Sequence, residues 1–204
     1  MIHIQDFTFN SFQTRCSVVW DDSLSCAIVD PGCSSDAEIS ELTSFISSRG
    51  LKPVCIMLTH GHFDHVLGVA DLVSRYDNLP VYMHPADKAT LAGNEYFTKW
   101  FGAPLPASFE TVDICETCSA EGCTDGPSEG CTDGPDGPKC ISVIEVGGLR
   151  FNVIETPGHT PGGVSFYEPA EKVLFSGDSL FAGAIGRTDH PGGDYEILMK
   201  SILG

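Results

Sequence analysis

Apolar and polar residues alternate from Ile2 to Phe9, and apolar residues run almost unbroken through Cys16–Trp20 and Cys26–Asp30. Short runs rich in β-branched and aromatic residues predict three opening strands, the last stopped by Pro31–Gly32. The period then changes. Ser35 to Arg49 reads as an amphipathic helix, with Ser35 and Glu38 spaced as a capping box, Ile39, Leu42 and Ile46 as its buried stripe, and Gly50 as its end. Val54–Leu58 predicts a strand, and Val66, Val69, Leu72, Val73 and Tyr76 recur at helical spacing. Pro80–Met83 predicts another strand and Pro85–Leu91 a short helix. In the second half, Ile141–Val146 and Leu149–Thr156 flank Gly147–Gly148 as a hairpin. Val164–Tyr167 and Val173–Ser176 predict further strands, and Asp194–Leu203 predicts a helix with Ile197, Leu198, Ser201 and Ile202 to bury. Strand-rich halves that each end in helices imply sheets packed face to face with helices outside, an α/β arrangement. The pattern alone leaves the topology open.

Between the halves, "EGCTDGP" at 121–127 recurs at 129–135. Cys115, Cys118, Cys123, Cys131 and Cys140 fall within or beside the repeat, and its Gly, Pro and Asp content favours turns over burial. Cys115-x-x-Cys118 has zinc-like spacing, but no second pair or nearby histidine completes four ligands. The expectation is one domain over 1–204 carrying a duplicated surface insertion at about 115–140.

The 11 Lys+Arg against 28 Asp+Glu give a net charge of −17. A surface that negative repels phosphate backbones and anionic lipid, so neither nucleic acid nor a membrane is an expected partner. No apolar run approaches the roughly 20 residues of a membrane span. The start, "MIHIQDFTFNSF", lacks the basic and apolar regions of a signal peptide. Nine cysteines without an export signal then read as reduced thiols, and the cytoplasm is the expected compartment.

Only seven histidines exist in the chain, yet "LTHGHFDHV" places three of them and an aspartate within six residues. Imidazole and carboxylate are the donors of zinc-type ions. His60 and His62, two apart on an extended segment, project to one side and can grip one ion. Asp64 and His65 lie where the chain turns into a helix and reach more naturally toward a second. Two later stretches supply candidate partners. "ETPGHTPGG" aims His159 from a Pro/Gly-rich loop, and "LFSGDSLF" puts Asp178 just after a strand. His159 completes a three-histidine site. Asp178 is either a bridge between two ions or, taken alone, a helix N-cap. His84 and His190 have no ligand-like spacing around them and are not expected to bind metal.

Asp30 in "AIVDPG", the "THGHFDH" cluster, His159 in "TPGHTPGG" and Asp178 in "SGDSLF" together resemble the metallo-β-lactamase superfamily, over nearly the whole chain outside the insertion. The resemblance implies an αβ/βα sandwich with a dinuclear site at one edge of the sheets. It implies a first site of His60, His62 and His159 and a second of Asp64 and His65, bridged by Asp178. Asp30 would then be a supporting residue. Two zinc ions are the family expectation, with iron as an alternative, and Asp64 and Asp178 are the carboxylates expected to act in catalysis. "LFAGAIGRTDHPGGDY" is most similar to glyoxalase II-like hydrolases of hydroxyacylglutathione thioesters. That similarity implies a small-molecule thioester substrate such as S-lactoylglutathione, attacked by a metal-bound hydroxide. It also implies a glutathione contact from Arg187, whose alternative is a salt bridge or loop anchor. Thr188 and Asp189 depart from the aromatic pattern typical of that group. The family's further histidine, in a "PGHG"-like turn after the bridging aspartate, has no match. The expectation is therefore a missing C-terminal strand and helices, an incomplete second site and impaired activity. The competing readings are a mononuclear-iron enzyme like the persulfide dioxygenases, suggested by "GRTD", and a non-catalytic metal-binding remnant.

Overall fold

The computed structural model describes residues 1–77, 79–115 and 141–204, and the backbone of 133–134 and 137–138. The duplicated cysteine-rich repeat otherwise lies outside the described residues.

The first half forms β1 (His3–Phe9), β2 (Thr14–Trp20), β3 (Ser25–Val29), α1 (Asp36–Ser48), β4 (Lys52–Met57), α2 (Phe63–Val66), α3 (Val69–Arg75) and β5 (Val81–Met83). A 3-10 turn at Pro85–Asp87 follows, then α4 (Lys88–Ala92), α5 (Asn94–Phe101) and β6 (Val112–Asp113). Beyond the small pair β7 (Asp133–Gly134) and β8 (Gly137–Pro138) come β9 (Val143–Val146), β10 (Leu149–Glu155), β11 (Val164–Glu168) and β12 (Val173–Phe175). The hairpin β13 (Leu180–Phe181) and β14 (Ala184–Ile185) and the helix α6 (Tyr195–Leu203) complete the order.

The six strands β1 to β6 form one sheet in sequence order. β1, β2 and β3 pair antiparallel, whereas β3, β4, β5 and β6 run parallel. The second sheet is an antiparallel meander, β12-β11-β10-β9. Alternation explains why the middle strands of the first sheet read as continuous apolar runs. Val18, Cys26, Ile28 and Ile56 face a core shared with Ile39, Leu42 and Ile46 of α1 and with Val69 and Leu72 of α3. Their neighbours Val19, Ala27, Val29, Cys55 and Met57 face the other way, onto Ile144, Val146, Phe151, Val153, Val164 and Phe166 of the second sheet. A strand buried on both faces has no polar side. The result is a mixed α/β sandwich of two sheets with helices on the outside of the first.

Ser35 caps α1 by accepting from Glu38 N, but the reciprocal half of the capping box is absent. Glu38 instead accepts from Ser34 N and from Asn10 N, tying α1 to the β1–β2 turn. Of the four residues expected to be buried on α6, Leu198 is fully enclosed, while Ile197 is exposed. Asp194 accepts from Ile197 N as its N-cap. No helix among the described residues is long and apolar enough to cross a membrane.

The sheet topology places the chemistry. β3 and β4 are parallel neighbours, so Asp30 and the histidine segment leave the sheet side by side at the carboxyl ends of their strands, where open sheets offer crevices. β10 and β12 each pair antiparallel with β11, so the loops after them, carrying His159 and Asp178, also emerge at one common edge. Val164 N donates to Thr59 O at 2.8 Å and joins the two edges.

Candidate metal centre

His60, His62, His65 and His159 converge from both halves of the chain. The His60 ring centroid lies 4.8 Å from those of His62 and His159 and 4.1 Å from that of His65. Two donor groups result, His60 with His62 and His159, and His60 with His65 and Asp178; within each, the donor atoms lie within 4.8 Å of one another. Asp178 spans them. Its Oδ1 is 3.3 Å from His65 Nε2 and its Oδ2 is 3.6 Å from His159 Nε2. Asp178 therefore lies between the two groups, and a strand rather than a helix follows it, so it caps no helix. Gly177, at φ +50°, makes this possible, because a side chain there would strike Thr59.

Asp64 stands beside the second group rather than within it. Its Oδ2 is 3.6 Å from His65 Nε2 and accepts from Thr14 Oγ1 at 2.7 Å. Asn10 Nδ2 donates to Asp64 O and to Gly32 O, fixing the start of α2.

The hydrogen bonds behind the rings dictate their tautomers. Asp30, buried at the end of β3, accepts from Thr59 N at 2.8 Å and from Thr59 Oγ1 at 2.6 Å. With its proton given to Asp30, the Thr59 hydroxyl can only accept from His60 Nδ1, 3.1 Å away. His60 Nε2 is then a bare lone pair, and it is buried with no hydrogen-bond partner. His159 Nδ1 donates to Arg187 O at 2.7 Å, which likewise leaves Nε2 unprotonated and 3.0 Å from His62 Nδ1. An orphaned His60 Nε2 lone pair beside His62 and His159, whose Nδ1 and Nε2 face each other at hydrogen-bond distance, is a donor set a divalent cation can take over once His62 Nδ1 gives up its proton. The residues fit an ion.

Charge agrees with this arrangement. Burial, then the neighbouring histidines, holds His60 well below the usual imidazole value and His62 down to about 2, so both are neutral. Burial lowers His159 too. His65 goes the other way, because Asp64, Asp178 and Asp30 outweigh the effect of its burial. Burial pushes Asp178 up, but His65 and then His159 and His62 bring it down to about 2.

The remaining expected residues separate. The Arg187 guanidinium, largely exposed, pairs with Asp189 at 2.9 Å, and only its carbonyl reaches the site. His84 lies elsewhere, with Nε2 3.4 Å from Glu155 Oε1 and Nδ1 accepting from Ala86 N. His190, set aside on spacing, stands at the mouth of the centre. Its ring centroid is 4.9 Å from those of both His62 and His159, and Phe97 packs edge-on against it and His62. Nothing within "TDHPGG" signals this; the fold brings it in. Sequence reasoning also missed a cavity of about 450 Å³ on the other flank, lined by Thr14, Asp30, Asp64, His65, Asp178 and apolar residues including Phe12, Leu174 and Phe181.

Comparison with known proteins agrees with this geometry. Residues 10–203 match the family model described as the Metallo-beta-lactamase superfamily, and the chain belongs to that family of metal-dependent hydrolases. Among its relatives is the hydroxyacylglutathione hydrolase GloC of Haemophilus influenzae, 33% identical over 201 residues, 98% of this chain and 82% of that protein. The probable metallo-hydrolase YqgX of Bacillus subtilis is 36% identical over 87% of this chain and 71% of its own. The crystal structure of the BLEG-1 B3 metallo-beta-lactamase superposes with a TM-score of 0.78 at 32% identity, covering 99% of this chain and 84% of that one. A di-iron-bound form of TTHA1623 superposes with a TM-score of 0.73 at 31% identity, covering 98% and 84%.

Proposed function

We propose that this protein hydrolyses a small-molecule thioester of the acylglutathione type, such as S-lactoylglutathione. The observation that carries the reading is the Asp178 carboxylate, one oxygen toward His65 and the other toward His159, between two donor groups that share His60. The likeness to a hydroxyacylglutathione hydrolase along 98% of the chain supports the substrate class.

In this reading His60, His62 and His159 would hold one ion and His65 and Asp178 another, with Asp64 beside them and Asp178 within reach of both groups. Imidazole and carboxylate donors suit zinc, with iron as the alternative. Divalent cations so held lower the pKa of bound water and polarise a carbonyl. The chain supplies the rest. Asp30 fixes the His60 tautomer through Thr59 and sets a negative charge 3.1 Å from His65 Nδ1. Thr14 fixes Asp64, and the adjoining cavity receives the acyl group against Phe12, Leu174 and Phe181. A thiolate is a good leaving group, so no separate acid is required of the protein. For Arg187 the salt-bridge alternative has the geometric support; a glutathione carboxylate would have to displace Asp189. No nucleic acid or membrane partner enters this reading, given the charge of −17. Buried free cysteines at 16, 26, 33 and 55 suit a reducing, cytoplasmic setting.

The test is thiol release from S-lactoylglutathione by protein loaded with zinc or with iron, beside Asp178→Ala. Turnover that follows metal content and disappears in the variant is expected. Fully loaded protein that releases no thiol overturns the reading. The structural likeness to a B3 metallo-beta-lactamase makes β-lactam opening the second reading, so a chromogenic cephalosporin belongs in the same assay.

A further inference from the structure

Asp87 belongs to neither donor group, yet it is completely enclosed, at 0% exposure. Its Oδ2 accepts from Gly61 N at 2.6 Å and from Thr160 Oγ1 at 3.0 Å. Its Oδ1 accepts from Gly162 N at 2.8 Å and from Thr90 Oγ1 at 3.2 Å. Gly61 is the residue between His60 and His62, and Thr160 and Gly162 follow His159. One carboxylate therefore fastens the segment bearing two of the histidines to the loop bearing the third. The other side of the Gly61 peptide is held as well: Asn94, 1% exposed, donates from Nδ2 to Gly61 O at 2.9 Å.

A buried charge is a costly fastener, tolerated only where several donors meet it. Four do so here, and three of them come from the ligand-bearing segments. An amide in its place would keep one acceptor oxygen and turn its N–H₂ toward a backbone N–H, of Gly61 or of Gly162, that can only donate, leaving a buried N–H unpaired.

We propose that Asp87, with Asn94 behind it, is a positioning residue that sets the separation of His60, His62 and His159, and thereby the affinity and coordination geometry of the ion they hold. The inference rests on the metal-centre reading above. A purely structural staple would stabilise the fold and leave the ion's environment alone, and the two roles divide cleanly on Asp87's own partners. Thr160 donates from a ligand loop. Thr90 donates to the same carboxylate from α4, which bears no ligand.

The experiment titrates chelator-stripped, folded protein with cobalt(II), reading its visible d–d bands and its affinity by competition with a chelator. Asp87→Asn should weaken cobalt binding by about 10- to 100-fold, the usual effect of losing an outer-shell partner, and change the band shape. Thr160→Val should move both readouts in the same direction by less. Thr90→Val should lower the melting temperature while leaving affinity and spectrum at wild-type values. If Asp87→Asn does not fold, the Thr160 and Thr90 pair decides. Wild-type affinity and spectrum in folded Asp87→Asn or Thr160→Val, or equal losses in Thr160→Val and Thr90→Val, would overturn the positioning role alone. Wild-type protein that binds no cobalt, or binds it undiminished after His60→Ala, removes the metal-centre reading and this one with it.

Discussion

Asp30 Oδ2 lies 3.1 Å from His65 Nδ1 while the same carboxylate accepts two hydrogen bonds from Thr59, whose hydroxyl faces His60. One buried side chain thus stands behind a histidine of each donor group. Asp30→Ala should therefore weaken both ions, by about 10- to 100-fold each, where loss of a partner behind only one ring would weaken one. Equilibrium dialysis with zinc at graded free concentrations would reveal it. Loss of a single equivalent with the other retained at wild-type affinity would contradict the double role.

The metal-free protein should show a plateau of stability that depends on His65 and Asp178. Asp178 is depressed from 3.8 to about 2, so its contribution is complete above 3.8 and lost as pH falls toward 2. His65 is raised above 6.5, so its contribution is complete below 6.5 and lost as pH rises through its higher folded value. The stability difference between wild type and Asp178→Asn in chelator should be greatest between pH 3.8 and 6.5 and shrink on both sides. Urea unfolding across that range measures it, and a difference independent of pH would be the contrary result.

Gly158, at φ +126°, precedes His159 and packs so closely on α6 that a β-carbon would collide with the backbone of Leu198. Gly158→Ala should cost about 2–3 kcal/mol by combining backbone strain with displaced packing. It should also reduce metal affinity, since Asp194 N donates to Gly158 O at 2.7 Å and anchors the same loop. Denaturation in chelator and in zinc would separate the two effects; a variant as stable and as metal-avid as wild type would show the loop able to move aside.

Excising residues 116–139 and joining the ends with a short Gly/Ser linker should leave the melting temperature and metal content nearly unchanged. Cys115 N donates to Ile141 O and Ile141 N to Asp113 O, so entrance and exit of the segment are already side by side. Closure entropy changes only slowly with loop length. Loss of a metal equivalent on excision would assign a role to the cysteines at 118, 123 and 131.

Strands β1 to β5 and β9 to β12 and α1 were legible because each depends on local pattern, while His60, His62, His65, His159 and Asp178 were picked out by residue type and grouped through the family resemblance. α5 was not legible. Its buried residues are Asn94 and Thr98, while Tyr96 and Trp100 point outward, so the usual apolar stripe is inverted. The polar residues face inward because Asn94 is bonded to the histidine segment, a partner 33 positions away. β13 and β14 are two residues each, too short for alternation to register. Ile197 followed the helical period of α6 but stays exposed, since a period gives a face and not its partner. Asp87 in "HPADK" reads locally as a helix-start residue; its role appears only when loops 26 and 75 positions away close around it.

The two sheets contribute unequally to the centre, with His60, His62 and His65 carried by the first and His159 and Asp178 by the second. An ion among them is a clasp across the sandwich, since the sheets cannot part without surrendering donors. Resistance to opening then becomes a function of free metal in the surroundings, growing by about 2.7 kcal/mol when the ion is present at a hundred times its dissociation constant. Metal scarcity would reach such a protein first as susceptibility to proteases at the seam between its halves, and the cell's metal supply would set its lifetime as well as its turnover.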